Sequence, residues 1–144
     1  MDLTKQHPRS PNELMAGLVS LARTTDKARA STAGTLGEYD FDCPHDKPLF
    51  EFLGTTGPAF ASKVRELGSD AQIEAWVREE LLAGKTRAAI EAFNTERRNW
   101  RPDDHSQGYF DKLRAQVAPN RPEVTTWFDL LDLDEGRPVA AAHA

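Results

Sequence analysis

Residues 21–54 hold the side chains best suited to binding or chemistry, because charged, glycine and aromatic residues are denser there than core packing requires. Arg23, Asp26, Lys27 and Arg29 occupy the last turns of a predicted helix. Arg23 and Lys27 are four residues apart, and like charges at this spacing repel each other on a helix unless an anion or a carboxylate lies between them. The pattern therefore predicts a basic pocket for a small anionic ligand at the end of this helix.

The following loop, residues 34–46, is predicted to complete the pocket. Asp46 and the aspartate of the helix would orient the cations or accept hydrogen bonds from the ligand, and the Tyr39 hydroxyl would add a further contact. Gly34 and Gly37 would let the backbone approach the ligand closely. The predicted binding residues are Arg23, Asp26, Lys27, Arg29, Tyr39 and Asp46.

Ion pairing within the chain explains the same charges without a ligand. Basic groups near a helix C-terminus are stabilised by the helix macrodipole. The last predicted helix carries an acidic run at its own C-terminal end, where the dipole disfavours anions, so this run also needs cations. A structural network is therefore the alternative, with carboxylates from two sources: Asp40, Asp42 and Asp46, or Asp129, Asp132, Asp134 and Glu135.

Cys43 is the single cysteine and the candidate catalytic residue. If Pro44 opens a helix, Cys43 lies at the N-cap, where free N–H groups and the dipole favour a thiolate. This placement predicts a nucleophile for a thiol enzyme or a redox sensor, with a buried, hydrophobe-like cysteine as the alternative. No cofactor follows from the sequence.

The tryptophans suggest a different class of function. An exposed face around Trp100 or Trp127 would make the chain a non-catalytic interaction module that binds a protein partner or a second copy of itself. Core packing is the favoured alternative, because each side chain lies on or beside an apolar stripe, and for Trp100 a cation–π contact with its neighbouring arginines is a further alternative.

Composition and spacing disfavour metal, nucleic-acid and membrane partners. The histidines, at positions 7, 45, 105 and 143, lack metal-ligand spacing, and Asp40-Phe41-Asp42 is not followed by the glycine and glutamate of a calcium loop. The net charge of −5 opposes attraction to nucleic-acid phosphates or anionic lipids. No stretch approaches the ~20 apolar residues of a membrane span. We therefore expect a cytoplasmic protein, consistent with the lone cysteine.

The periodicity predicts an all-α fold, a single compact bundle of about six short helices with one extended segment at residues 38–43. One helical domain is expected at residues 1–136, followed by a flexible C-terminal tail at 137–144. The first helix is predicted to begin at Ser10, with Leu14 and Leu18 on one face. Further helices are predicted at 44–53, 58–67, from 69 onward, 86–100, between 103 and 119, and at 122–135.

Three segments carry a family resemblance: DLTKQHPRSPNE at the start, ARTTDKARASTAGTLGEYDFDCPHDKPLFEFLG in the middle and TTWFDLLDLDEGRPV at the end. They resemble a bacterial domain of unknown function, family 5069, over nearly the whole chain. The resemblance implies a small cytoplasmic bacterial protein and assigns no activity, cofactor or catalytic residue.

Overall fold

The computed structural model describes residues 1–140, and its regular secondary structure is helical. Within this range there is no strand, only an isolated bridge between Met15 and Leu18, so the predicted all-α class is confirmed. No helix in the described range is long and apolar enough to cross a bilayer. The same range contains seven α-helices, where about six were predicted: α1 (Leu21–Ala33), α2 (Lys47–Leu53), α3 (Gly57–Leu67), α4 (Asp70–Trp76), α5 (Arg87–Arg98), α6 (Gln107–Val117) and α7 (Trp127–Asp134).

The prediction that the first helix begins at Ser10 is wrong, because a folded loop precedes α1. Gly17 and Ser20 have φ angles of 76° and 71°, which a right-handed helix excludes. The loop fully buries Leu18 and leaves Leu14 56% exposed. The two leucines therefore do not share a helical face, although their spacing is helical.

Residues Met1–Phe93 form the first of two compact units. Its core contains aromatic side chains from three helices: the Phe60 ring is fully buried and lies 5.3 Å from Phe50 and 6.0 Å from Trp76 between centroids. α3 also packs against α1. The core thus joins α1 to α4 into the scaffold on which the charged side chains of α1 are placed.

The start of α4 is confirmed, whereas its end differs from a regular helix. The Ser69 hydroxyl accepts a hydrogen bond from the Gln72 N–H, and the Gln72 side chain accepts one from the Ser69 N–H, as a capping box requires. The helix continues as a π-helical turn, closed by a 2.9 Å bond from the Leu82 N–H to the Val77 carbonyl. This wider turn buries Leu82 and leaves Leu81, the position predicted by regular spacing, half-buried.

Residues 38–43 follow a bent path where an extended segment was predicted. The Tyr39 N–H donates to the Leu36 carbonyl at 3.1 Å, which closes a turn, and Asp42 has a φ of 60°. The next helix, α2, carries Pro48 in its first turn, so it begins three residues later than a helix opened by Pro44.

The second unit begins at Asn94, within α5. Its core consists of Phe110, Val124, Trp127 and Leu130. Tyr109, which helical spacing places on the same buried face, is 65% exposed. α6 and α7 begin later than predicted, after Ser106 and Thr126.

The described part of the C-terminal segment is held by hydrogen bonds from Arg121. The Arg121 guanidinium donates to the carbonyl oxygens of Val139 and Ala140 at 2.8 and 3.0 Å. The last four residues of the predicted tail, 141–144, lie outside the described range, and the predicted single domain stays a prediction.

The folded loop before α1 gives the first testable prediction. Leu18→Ala should lower the free energy of unfolding by about 2–5 kcal/mol, because it opens a cavity at a fully buried position. The matched control, Leu14→Ala, should change it by less than about 0.5 kcal/mol, since Leu14 is exposed. Urea denaturation of both variants measures the difference in unfolding free energy. Equal losses of stability in the two variants would contradict the loop conformation that buries Leu18 and exposes Leu14.

Candidate functional site

α1 is buried along almost its whole length, although its sequence is polar. Arg23, Asp26 and Lys27 are each no more than 6% exposed. A charged group removed from water is destabilised unless an opposite charge and hydrogen bonds replace its hydration. The partners that other parts of the chain supply to α1 therefore define the candidate site.

Lys27 is paired with Asp46, one of the downstream aspartates predicted as an acidic source. The Lys27 Nζ lies 3.1 and 3.0 Å from the two carboxylate oxygens, and the side chains are 5% and 2% exposed. The Thr24 hydroxyl donates to the same carboxylate at 2.9 Å. The Cys43 Sγ lies 3.5 Å from the Lys27 Nζ. These four side chains, from Thr24, Lys27, Cys43 and Asp46, are called the lysine cluster below.

Arg9, in the N-terminal segment, forms a second network with α1. Its Nε and Nη2 atoms each lie 3.1 Å from an oxygen of Asp26, and its Nη1 lies 2.8 Å from Asp70. Arg29 reaches Asp70 through its Nη2, also at 2.8 Å. The four side chains tie the N-terminal segment and the start of α4 to α1, and are called the arginine network below.

The arginine network shifts the ionisation of its members. Burial disfavours the charged Arg9 guanidinium, but hydrogen bonds and charge from Asp26 and Asp70 outweigh that cost and raise the pKa of Arg9 above its usual range. Partial burial likewise opposes ionisation of Asp70, yet Arg9 and Arg29 hold the pKa of Asp70 below its ordinary value of 3.8. Arg9 and Asp70 are therefore both charged at neutral pH.

Arg23 connects this network to Tyr39. Its Nη1 donates to the Arg9 carbonyl at 3.2 Å, and its Cζ lies 5.6 Å from the centroid of the Tyr39 ring, within cation–π range. On the other side, the Tyr39 hydroxyl shares a 2.7 Å hydrogen bond with the Nδ1 of His7. Tyr39 is thus held between a buried cation and an exposed imidazole.

A cavity of about 460 Å³ lies beside Tyr39. One wall is the N-terminal segment, and the other is the turn after α1. A 2.9 Å hydrogen bond from the Leu3 N–H to the Thr35 carbonyl joins the two walls. Gly37 has a φ of 62°, and a Cβ there would lie 3.2 Å from the Leu3 carbonyl oxygen, so glycine permits this approach. The lining residues are Leu3, Thr4, Lys5, Gln6, His7, Gly37, Glu38 and Tyr39.

The structure corrects the predicted position of Cys43. It does not lie at a helix N-cap, because α2 begins at Lys47 and Asp46 occupies its N-cap position. The Cys43 carbonyl instead accepts hydrogen bonds from the N–H groups of both residues, at 2.9 and 3.0 Å. The thiol is half-buried and belongs to the lysine cluster. Within residues 1–140, no three His, Cys, Asp or Glu side chains are grouped to hold a metal ion.

The six predicted binding residues divide between three environments. Lys27 and Asp46 bind each other, Asp26 and Arg29 belong to the arginine network, and Arg23 packs on Tyr39. Tyr39 alone among the six lines the cavity.

The functional residues that the sequence patterns do not reveal lie mainly in the N-terminal segment. His7 and Arg9 belong to it, and Arg9 binds Asp70 at the start of α4. The contacts of Arg9 span 17 and 61 residues along the chain. No local periodicity or motif reports such distant pairs, so the sequence carried no signal for them.

The fold and the site define an all-α protein whose first unit contains a polar, charge-paired helix, α1. A family model described as a domain of unknown function, DUF5069, matches residues 5–137, so the chain belongs to this family and the predicted resemblance is confirmed. The comparison with curated proteins found no match.

The arginine network predicts a dependence of stability on acid. Because the pKa of Asp70 is lower in the folded state, its stabilising contribution is present above the unfolded pKa of about 4 and is lost as the pH falls below it. Asp70→Asn should therefore lower the free energy of unfolding at pH 7. The difference in free energy between the wild type and this variant should shrink between about pH 4 and pH 2. Urea denaturation from pH 7 to pH 2 measures this difference.

Asp134→Asn provides the matched control, because Asp134 is exposed and loses the same charge outside the network. Its unfolding free energy should follow the wild type at every pH. If the loss of unfolding free energy in Asp70→Asn stays constant down to pH 2, the pairing of an ionised Asp70 with the two arginines is contradicted.

The lysine cluster gives a prediction of larger effect. Lys27→Met should lower the free energy of unfolding by about 3–5 kcal/mol, because it leaves the buried Asp46 carboxylate without its cation. Adding Asp46→Asn should restore part of the loss, since the remaining side chain is then uncharged. Thermal and urea denaturation measure the stability of both variants. A double variant that is less stable than Lys27→Met would overturn this explanation.

Proposed function

We propose that the chain binds a small anionic molecule in the cavity between residues 3–7 and 37–39. The observation that carries this proposal is the cavity itself, which has polar groups on both walls. Its volume of about 460 Å³ lies within the range of small-molecule sites, about 300–1,000 Å³. The site therefore has the size and the mixed lining expected for a metabolite-sized ligand.

The charges around the cavity favour an anion over a neutral ligand. Lys5, which is exposed and carries a positive charge, lines one wall together with His7. The Tyr39 hydroxyl lies on the opposite wall, and the Arg23 guanidinium over its ring adds positive charge. A carboxylate or phosphate group would accept hydrogen bonds from these donors.

Glu38 narrows the ligand class further. It is the acidic side chain in the cavity lining and offers acceptor oxygens. A ligand that carries a hydroxyl or amine donor in addition to its anionic group would satisfy Glu38, whereas a bare anion would be repelled by it. We infer that the natural ligand is a hydroxylated or amino-bearing carboxylate or phosphate ester.

The paired cations of α1 support this location indirectly. Lys27 and Arg29, which the sequence placed in the pocket, are already paired with Asp46 and Asp70. An anion that bound there would have to displace a carboxylate that is fixed in place. The cavity beside Tyr39 avoids this competition and keeps the ligand near the end of the predicted pocket.

The test is a thermal-shift screen followed by calorimetry with the full chain. Phosphate, pyrophosphate, hydroxycarboxylates, amino acids and sugar phosphates serve as probes, because a ligand that binds only the folded state raises the melting temperature. For any probe that binds, Lys5→Gln and Tyr39→Phe should each weaken affinity by about 5- to 50-fold, as expected for one lost charge-assisted hydrogen bond.

Lys112→Gln and Tyr109→Phe are the matched controls, because both residues line a different hollow. They should leave the affinity unchanged. Binding that survives Lys5→Gln and Tyr39→Phe, or that is lost in the controls, would show that the cavity is not the site. A screen in which no probe shifts the melting temperature would reject the proposal for the classes tested.

An interaction module or homo-oligomer is the second candidate. Trp127 is buried, and Trp100 is half-buried with its ring 5.9 Å away, so neither presents the face proposed from the sequence. Tyr109 is 65% exposed beside a hollow of about 280 Å³, which favours a contact there. Sedimentation of the screened samples distinguishes the two candidate functions. A dimer that forms in the wild type and is disrupted by Tyr109→Ser would support the interaction module.

A further inference from the structure

We propose that Cys43 and Lys27 form an oxidation-sensitive pair, in which a hydroperoxide oxidises the thiol and the lysine amine then captures it as a covalent S–N bond. This inference concerns the lysine cluster and is independent of the ligand cavity. It assigns a modification site to two residues that ligand binding does not use.

The geometry already brings the two reacting atoms together. The Lys27 Nζ lies 3.5 Å from the Cys43 Sγ, which is van der Waals contact, and the lysine side chain is 5% exposed. Asp46 fixes both groups, since its Oδ2 lies 3.0 Å from Nζ and 3.6 Å from Sγ. Formation of the S–N bond therefore needs only a small movement of the Cys43 and Lys27 side chains.

The accessibility of the two residues suits this sequence of steps. Cys43 is half-buried, so we expect a small peroxide to reach its sulfur, whereas Lys27 is only 5% exposed and is shielded from competing reagents. The chain contains a single cysteine, so no second thiol of the same molecule can resolve a sulfenic acid. The nearest nucleophile in the cluster is the Lys27 amine.

The chemistry balances with hydrogen peroxide as the oxidant. In the first step the Cys43 sulfur attacks one peroxide oxygen, an S–O bond forms, the O–O bond breaks and water leaves, which yields a sulfenic acid. In the second step the Lys27 ammonium gives one proton to Asp46, and the nitrogen lone pair attacks the sulfur. The S–N bond forms, the S–O bond breaks, and the hydroxide leaves as water with a second proton from the nitrogen.

The proton left on Asp46 has a structural consequence. Linking Lys27 removes the cation that the buried carboxylate was paired with, and protonation keeps that carboxyl neutral. Two equivalents of an added thiol reverse the link, because they reduce the S–N bond to the free thiol and amine and become a disulfide. The modification is therefore reversible.

The experiment treats the full wild-type chain with hydrogen peroxide and analyses the proteolytic digest by mass spectrometry. We expect a peptide containing Lys27 joined to one containing Cys43, lighter by two hydrogens than the sum of the two. The joined peptide should disappear after treatment with a dithiol and should be missing from Cys43→Ser.

Lys27→Arg keeps a cation beside Asp46 and removes the amine. Sulfenic acid trapped by dimedone should then rise several-fold above the wild-type level. Three wild-type results would overturn the proposal: accumulation of sulfenic or sulfinic acid without a link, a link to the exposed Lys47 in place of Lys27, or a disulfide between two copies. These results come from the wild-type chain, so they decide the question even if Lys27→Arg fails to fold.

Discussion

The need to neutralise buried charge on α1 organises the first unit of this protein. Asp26 and Lys27 lie side by side in a helix that is closed off from water, and an unpaired charge in such a place would cost several kcal/mol. Arg9 and Asp46 meet that need from opposite directions along the chain. Both residues are therefore fixed in position. Arg9 fixes the N-terminal segment that forms one wall of the cavity, and Asp46 fixes the turn that carries Cys43.

The cavity and the lysine cluster thus share a common origin. Arg23 extends the arginine network to Tyr39 by holding the Arg9 carbonyl on one side and the tyrosine ring on the other. The proposed binding surface is formed by short segments that have little regular structure of their own. Their geometry depends on the contacts of Arg23 with the Arg9 carbonyl and the Tyr39 ring, so the polarity of α1 positions the proposed site and need not provide contacts to a ligand.

The sequence predicted the fold class and the helix that starts at residue 69, because both depend on local patterns of a few residues. It failed at residues 10–20, where a cap-like motif and helical leucine spacing were outweighed by left-handed conformations at Gly17 and Ser20. For the candidate site, it offered two acidic sources for the cations of α1, and Lys27 binds Asp46 from the downstream source; binding of a ligand by these residues stays a prediction. The partners of Asp26 and Arg29 were inaccessible to it, since Arg9 and Asp70 are distant in sequence and carry no motif.

The contact between Arg9 and Asp70 also bears on the order in which the chain assembles. Arg9 is synthesised 61 residues before its partner, and contacts of such sequence separation form late because they require the intervening chain to be ordered first. During synthesis, Arg9 can bind Asp26, 17 residues away, as soon as α1 has emerged, whereas Asp70 joins the network only after the start of α4 has been made. Both walls of the cavity lie within the first 39 residues, and hydrogen bonds from Leu3 to Thr35 and between His7 and Tyr39 join them, so the cavity can close before the arginine network is complete.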